Sequence, residues 1–199
     1  MKLRSRSGNA KSGVGRNVIL RKVVLFIAMS LDGYIADIHG GTGWLEGQVS
    51  GENDMVSYEE FTQNIDTVIM GANTYRQLVT ELSPNEWVYS NFTSYIITHA
   101  PKKSTDKIRF TDEHPSQLVN RLKNETGKDI WICGGASIAK QLMQADLIEQ
   151  YYINVIPVIL GNGIRLFDNS EKELKLKLIK TRSYNGIVDL VYEKRSVSH

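Results

Sequence analysis

Apolar positions along the chain fall into two alternating patterns, short unbroken runs and helical stripes. Lys22-Val-Val-Leu-Phe-Ile-Ala-Met-Ser-Leu31 is an almost continuous apolar run rich in β-formers, which predicts a strand buried on both faces and therefore central in a sheet. A long loop follows over 32–50, carrying Gly33, Gly40, Gly41, Gly43 and Gly47 around Tyr34, Ile35 and Trp44. Loops of that length tend to carry function. From Asn53 to Asn64 the pattern becomes helical: Asp54, Tyr58, Phe61 and Ile65 fall on one side, and Asp54 is the odd polar member of that stripe. Asp66 to Met70 predicts a short buried strand ended by Gly71, and Asn73 to Leu82 a helix stopping before Pro84. The unit recurs: strands at 93–98 and 108–111, a helix at 115–125, a strand at 129–133, a glycine pair, and a helix at 136–145. Strands alternating with helices argue a largely parallel α/β sheet. The end differs. Gln150 to Leu160 reads as a long strand interrupted by Pro157, and 174–183 and 187–194 flank Asn185-Gly186, a strong hairpin signal.

Composition narrows the picture. With 199 residues, 41% hydrophobic and 23% charged, the chain suits one domain better than two. One cysteine and four scattered histidines exclude an internal disulfide and offer no metal-ligand spacing, so no metal is expected. No run approaches the roughly 18 apolar residues of a membrane span, and the N-terminus lacks the apolar core of a secretory signal, which predicts a cytoplasmic protein without membrane contact. The net charge of +2 hides an asymmetry: residues 1–22 carry seven basic and no acidic residues, leaving an acidic remainder. Residues 1–20 read as a flexible basic tail, ahead of a single domain over 21–196. The tail could serve as a nucleic-acid arm, but the acidic body argues against that partner.

Two strand-to-helix junctions, Met70-Gly71-Ala72-Asn73-Thr74 and Cys133-Gly134-Gly135-Ala136-Ser137, end a buried strand on glycine and open a helix on small or hydroxyl residues. Helix starts present unpaired N–H groups and the positive end of the helix dipole, and glycine lets a phosphate approach the backbone. Glycine also serves simply to turn the chain, but two in succession carry an entropy cost an ordinary turn does not need. Two such junctions in one sheet could grip a pyrophosphate from both sides. A Rossmann fingerprint is absent, because Gly41-Thr42-Gly43-Trp44-Leu45-Glu46 lacks the last glycine and lies far beyond its strand; no P-loop is present either.

Four segments together resemble the dihydrofolate reductase-like superfamily, including the reductase domain of bifunctional riboflavin-biosynthesis enzymes and its stand-alone homologues. They are Ala28-Met-Ser-Leu-Asp-Gly-Tyr-Ile-Ala36 with Gly43-Trp44, Asp66 to Tyr75, Ile132-Cys-Gly-Gly-Ala136, and Ile156 to Phe167. The resemblance spans about Lys22 to Lys194. It implies a mixed sheet of about eight strands, mostly parallel with a C-terminal antiparallel hairpin and helices on both faces, binding extended NADPH along the carboxyl ends of the strands. The nicotinamide would sit by Ala28 and Ile35 under the loop bearing Gly43 and Trp44. Gly71, Ala72, Asn73 and Thr74 would hold phosphate, Thr98 and His99 would lie near the adenosine 2′-phosphate, and Gly134, Gly135, Ala136 and Ser137 would take the other side of the pyrophosphate, with a cis peptide in the glycine pair.

Two departures qualify that expectation. The family commonly has a basic residue where Ala72 stands, with His99, Lys102 and Lys103 as nearby substitutes. The Asp-x-Pro-x-Leu-x-x-Arg stretch that grips a ribose phosphate in riboflavin-pathway reductases has no counterpart in 75–84. Reducing a C=N bond needs hydride and a proton, and a partly shielded carboxyl suits the second task. Asp54, on the pocket-side stripe, is the candidate donor; an acid in a first helical turn also serves as a cap or dipole partner. Asp32 is a turn residue or a substrate contact, Trp44 a loop pin or a pocket wall, and Tyr58 a packing residue or a pocket liner. Cys133 reads as a small hydrophobe. The expectation is an NADPH-dependent reductase of a small pterin-like or pyrimidine-like substrate, with a homodimer through the terminal strands. The rival is a protein that keeps the nucleotide groove without turnover.

Overall fold

A computed structural model describes residues 20–49, 55–100, 102–167 and 173–195. The 1–20 tail, apart from Leu20, lies outside them. In chain order the elements are β1 (Val23–Ser30), β2 (Tyr34–Ala36), α1 (Val56–Thr62), β3 (Ile65–Gly71), α2 (Ala72–Gln77), β4 (Thr93–Ile97), β5 (Ile108–Thr111), α3 (Pro115–Lys123), β6 (Asp129–Gly134), α4 (Ala136–Gln144), β7 (Gln150–Ile156), β8 (Ile164–Arg165), β9 (Leu176–Tyr184) and β10 (Ile187–Lys194). Helix α2 runs on through a π-helical turn, Leu78–Leu82.

Eight strands form one sheet in the order β5-β4-β3-β6-β1-β7-β10-β9. The first six are parallel, and β10 and β9 add antiparallel, as expected. The hairpin between β9 and β10 turns through Asn185 and Gly186, both at positive φ, which the twist of two antiparallel strands favours.

Because side chains alternate across a strand, each central strand feeds two cores. Val23 and Leu25 of β1, Ile130 and Ile132 of β6, and Tyr151 and Ile153 of β7 face α3 and α4, meeting Leu118, Val119, Leu122, Ile138 and Leu142. The opposite face receives Val24, Trp131 and Tyr152, with Phe26 and Cys133 packed alongside, beneath Phe61 and Tyr58 of α1. Helix α3 starts cleanly because Pro115 sits in its first turn and the His114 side chain accepts from the Ser116 N–H.

Three expectations change. Helix α1 begins at Val56 rather than Asn53, and Asp54 lies outside the described residues. The strand expected through Leu160 ends at Ile156, where Pro157 cannot donate to a ladder. The long loop contains a strand of its own: β2 pairs antiparallel with β8 in a separate two-stranded ribbon. Gly163 makes that ribbon possible, since a Cβ there would stand 2.2 Å from the Ala36 carbonyl oxygen.

Candidate functional site

Parallel pairing of β3 with β6 places the two glycine junctions side by side at the carboxyl ends of these central strands. A Cβ on Gly135 would lie 3.5 Å from Thr74 Oγ1, one on Gly134 3.9 Å from the same atom, and one on Gly71 4.0 Å from the Gly135 nitrogen. The two helix starts therefore flank one gap, and glycine keeps that gap open. Gly134 sits at φ +130, a backbone state that side chains rarely adopt, and the Gly134–Gly135 peptide is cis. Among the described residues neither α2 nor α4 has a side-chain cap, which leaves the positive ends of both helices without a side-chain acceptor. That is the arrangement a pyrophosphate fits. A cleft of about 410 Å³ is lined by Ala136 and Ser137 at the start of α4 together with Lys140 and Arg165. Arg165 stacks on the Tyr34 ring and donates to its hydroxyl at 3.0 Å.

Next to β3, β4 brings Thr98 to the same end of the sheet, where its hydroxyl accepts from the Ala100 N–H at 3.1 Å; His99 is exposed beside it. Of the basic residues near Ala72, Lys102 lies over the rings of Tyr75 and Phe110 at 5.1 and 5.5 Å. On the other side of β6, Ala28 is half-buried near the end of β1, and Ile35 of β2 packs against the α3/α4 core.

Asp32 belongs to the loop scaffold: its carboxylate accepts from Ser30 Oγ at 2.6 Å, Gly161 N at 2.8 Å and Leu160 N at 3.1 Å. These bonds, the Ser30 hydroxyl foremost, hold its pKa below the usual aspartate value. The Trp44 indole donates to the Gly41 carbonyl at 3.2 Å, and Gly43 beside it is exposed. The far end of that loop is zipped to the β9–β10 turn by Gln48 N to Asn185 O at 2.8 Å and Val49 N to Asn185 Oδ1 at 2.7 Å.

Tyr58 sits edge-on to Phe26 and Trp131 at 6.3 and 6.0 Å, and Phe26 stacks on Phe61 at 4.3 Å. Tyr58 is thus both a packing residue and half exposed at the margin of α1. Burial pushes its phenol up, and pushes the Cys133 thiol up to about 11, so Cys133 is a neutral wall residue. Glu59 and Glu60 point to solvent, off the stripe, as their spacing predicts.

One polar cluster escaped the sequence reading. Asn154 of β7 and Asp189 of β10 are register partners facing α1, and Asn154 is also the register partner of Ala28. Both are buried. Asn154 Nδ2 and Ser57 Oγ both donate to the Asp189 carboxylate, and Arg182 Nη1 donates to Ser57 Oγ at 3.0 Å. Close by, the Tyr152 hydroxyl is buried without a hydrogen-bond partner of good geometry among the described residues, and burial raises its pKa. The available signal was a polar residue at an inward position of an otherwise apolar strand, in Tyr152-Ile-Asn-Val155 and in Val188-Asp-Leu190.

Comparison with known proteins agrees with this fold. The family model of the RibD C-terminal domain matches residues 21–189. An uncharacterized protein, YwjB of Bacillus subtilis, is 42% identical over 173 residues, covering 86% of this chain and 97% of its own. A second uncharacterized B. subtilis protein, YyaP, is 28% identical, covering 88% and 96%. Among solved structures, a putative riboflavin biosynthesis protein from Shewanella sp. PV-4 is 26% identical with a TM-score of 0.75, covering 88% of this chain and 99% of its own. A deaminase and 5-amino-6-(5-phosphoribosylamino)uracil reductase from Thermotoga maritima shares the fold at 16% identity and a TM-score of 0.63, covering 88% of this chain and 57% of its own.

Proposed function

Because this chain belongs to the RibD C-terminal domain family, we propose that it is an NADPH-dependent reductase that delivers hydride to a small planar C=N or C=O substrate of pterin or pyrimidine type. The observation that carries this reading is the meeting of two uncapped helix starts across the Gly71, Gly134, Gly135 and Thr74 gap. The residues fit a dinucleotide: Ala72, Asn73, Thr74, Ala136 and Ser137 would hold its pyrophosphate through backbone N–H groups. Lys140 and Arg165 supply positive charge that Ala72 does not. Thr98 and His99 would lie by the adenosine end, and Ala28 and Ile35 by the nicotinamide, which when bound supplies the hydride. Trp44 and Tyr58 would border the substrate, with Asp32 holding the loop between them and β1. Asp54 is the candidate proton donor. The protein is taken as a cytoplasmic homodimer whose partner is a small molecule, without membrane or nucleic acid.

One observation favours binding without turnover. Asp32, four residues beyond Ala28, and Asp189, across from it in register through Asn154, are both committed to fixed donors. NADPH oxidation in the presence of dihydropterins and diaminouracils separates the readings. Reduction of one of them, abolished by Asp54→Asn with NADPH affinity unchanged, supports the enzyme; NADPH binding without oxidation by any of them supports the rival.

A further inference from the structure

The row Ala28, Asn154, Asp189, Arg182 crosses four adjacent strands on the face that α1 covers. Helix α1 closes over only part of it. Ser57 meets Asp189 and Tyr58 meets Phe26, whereas Ala28, two residues farther along β1 on the same face, is half-buried and carries only a methyl group. Asn154, the register partner of Ala28, is thus the polar side chain next to it on this face.

Its carboxamide is oriented. Nδ2 donates to Asp189, and no other donor or acceptor among the described residues meets its amide. A carboxylate repels the amide oxygen, so Asp189 takes the N–H that points away from Oδ1. The opposite edge, with the oxygen beside the second N–H, has no partner among the described residues. A carboxamide edge of this kind pairs with a ring that carries an N–H next to a carbonyl, in two hydrogen bonds.

We propose that Asn154 is the specificity-determining residue of this site, reading the imide edge of a planar nitrogen heterocycle seated over Ala28, and that Asp189 is the positioning residue that fixes the amide. Asp189 also ties α1 to β10 through Ser57, so one carboxylate sets both the reader and the wall of the pocket. The inference rests on the reductase reading above, and its test separates the two.

The probes are 5,6-diaminouracil and its 1,3-dimethyl analogue, which lacks both ring N–H groups, titrated into the NADPH-loaded protein by calorimetry. The wild type is expected to bind diaminouracil at least tenfold tighter than the dimethyl analogue. Asn154→Leu should reduce that ratio to near one. Asp189→Asn should lower it severalfold, because an amide partner no longer dictates which way Asn154 points. NADPH affinity should stay within twofold in both variants, and that readout also reports whether they remain folded. An unchanged ratio in Asn154→Leu, or no binding of diaminouracil to NADPH-loaded wild type, overturns the inference while leaving the cofactor site intact. Failure of NADPH itself to bind overturns the reductase reading instead.

Discussion

The two faces of the sheet are built from the same strands and do different work. Toward α3 and α4 the contacts are aliphatic and closed: Leu25, Ile69, Leu118, Ile132 and Leu142 are all fully buried. Toward α1 they are aromatic and open, with Phe26, Tyr58, Tyr89 and Cys133 only partly covered. That face also holds the Asn154–Asp189–Ser57 cluster and the buried Tyr152 hydroxyl. A closed face of interlocked aliphatic side chains supplies stability in proportion to the area it removes from water. An open face of rings and polar groups holds less, yet it is the kind of surface on which a flat ligand can lie. The glycine junctions sit at the carboxyl ends of the central strands β3 and β6, where Gly71 and Gly134 abut Ile138 and Ile27 of the closed face.

Substitutions should divide along this line. On the closed face Leu142→Ala leaves a cavity and should cost about 2–5 kcal/mol in denaturant unfolding. On the open face Tyr58→Leu loses two edge-on ring contacts and should cost about 1 kcal/mol, while changing the KM for substrate at least severalfold. Equal stability losses at the two sites would erase the distinction. The smallest effect concerns the loop that borders both faces. The folded-state pKa of Asp32 lies below its unfolded value, so the tie from Ser30, Leu160 and Gly161 is fully present above the unfolded pKa. It is lost as pH falls through the folded one. Amide protection at Leu160 and Gly161, measured against the intrinsic exchange rate, should therefore fall as pH drops below about 4 in the wild type, and be low at every pH in Asp32→Ala.

Much of the fold was legible because local pattern and long-range packing agree. The apolar run of β1, the glycine turns after β3 and β6, and the Asn185-Gly186 hairpin each specify their element without help from distant residues. Features made of distant partners were not legible. Strands β2 and β8 are three and two residues long, and they are strands only because Gly163 lets residues 127 positions apart or more come together. The Ser57–Asp189 bond joins residues 132 apart. Asp32 showed the limit from the other side: its turn role follows from the Asp-Gly pair, whereas its bonds to Leu160 and Gly161 depend on where β7 ends.

The central claim is that the gap between the two helix starts seats one dinucleotide, and Gly135→Ala tests it most directly. Gly135 has φ −81, a conformation open to alanine, and its added methyl would make only an ordinary 3.5 Å contact with Thr74 Oγ1. The variant should melt within a few degrees of the wild type. Calorimetric titration of the wild type with NADPH should give saturable one-site binding, weakened at least tenfold in Gly135→Ala because the methyl stands where phosphate must approach. No heat with either NADPH or NADH, or equal affinity in the two proteins, would contradict the account.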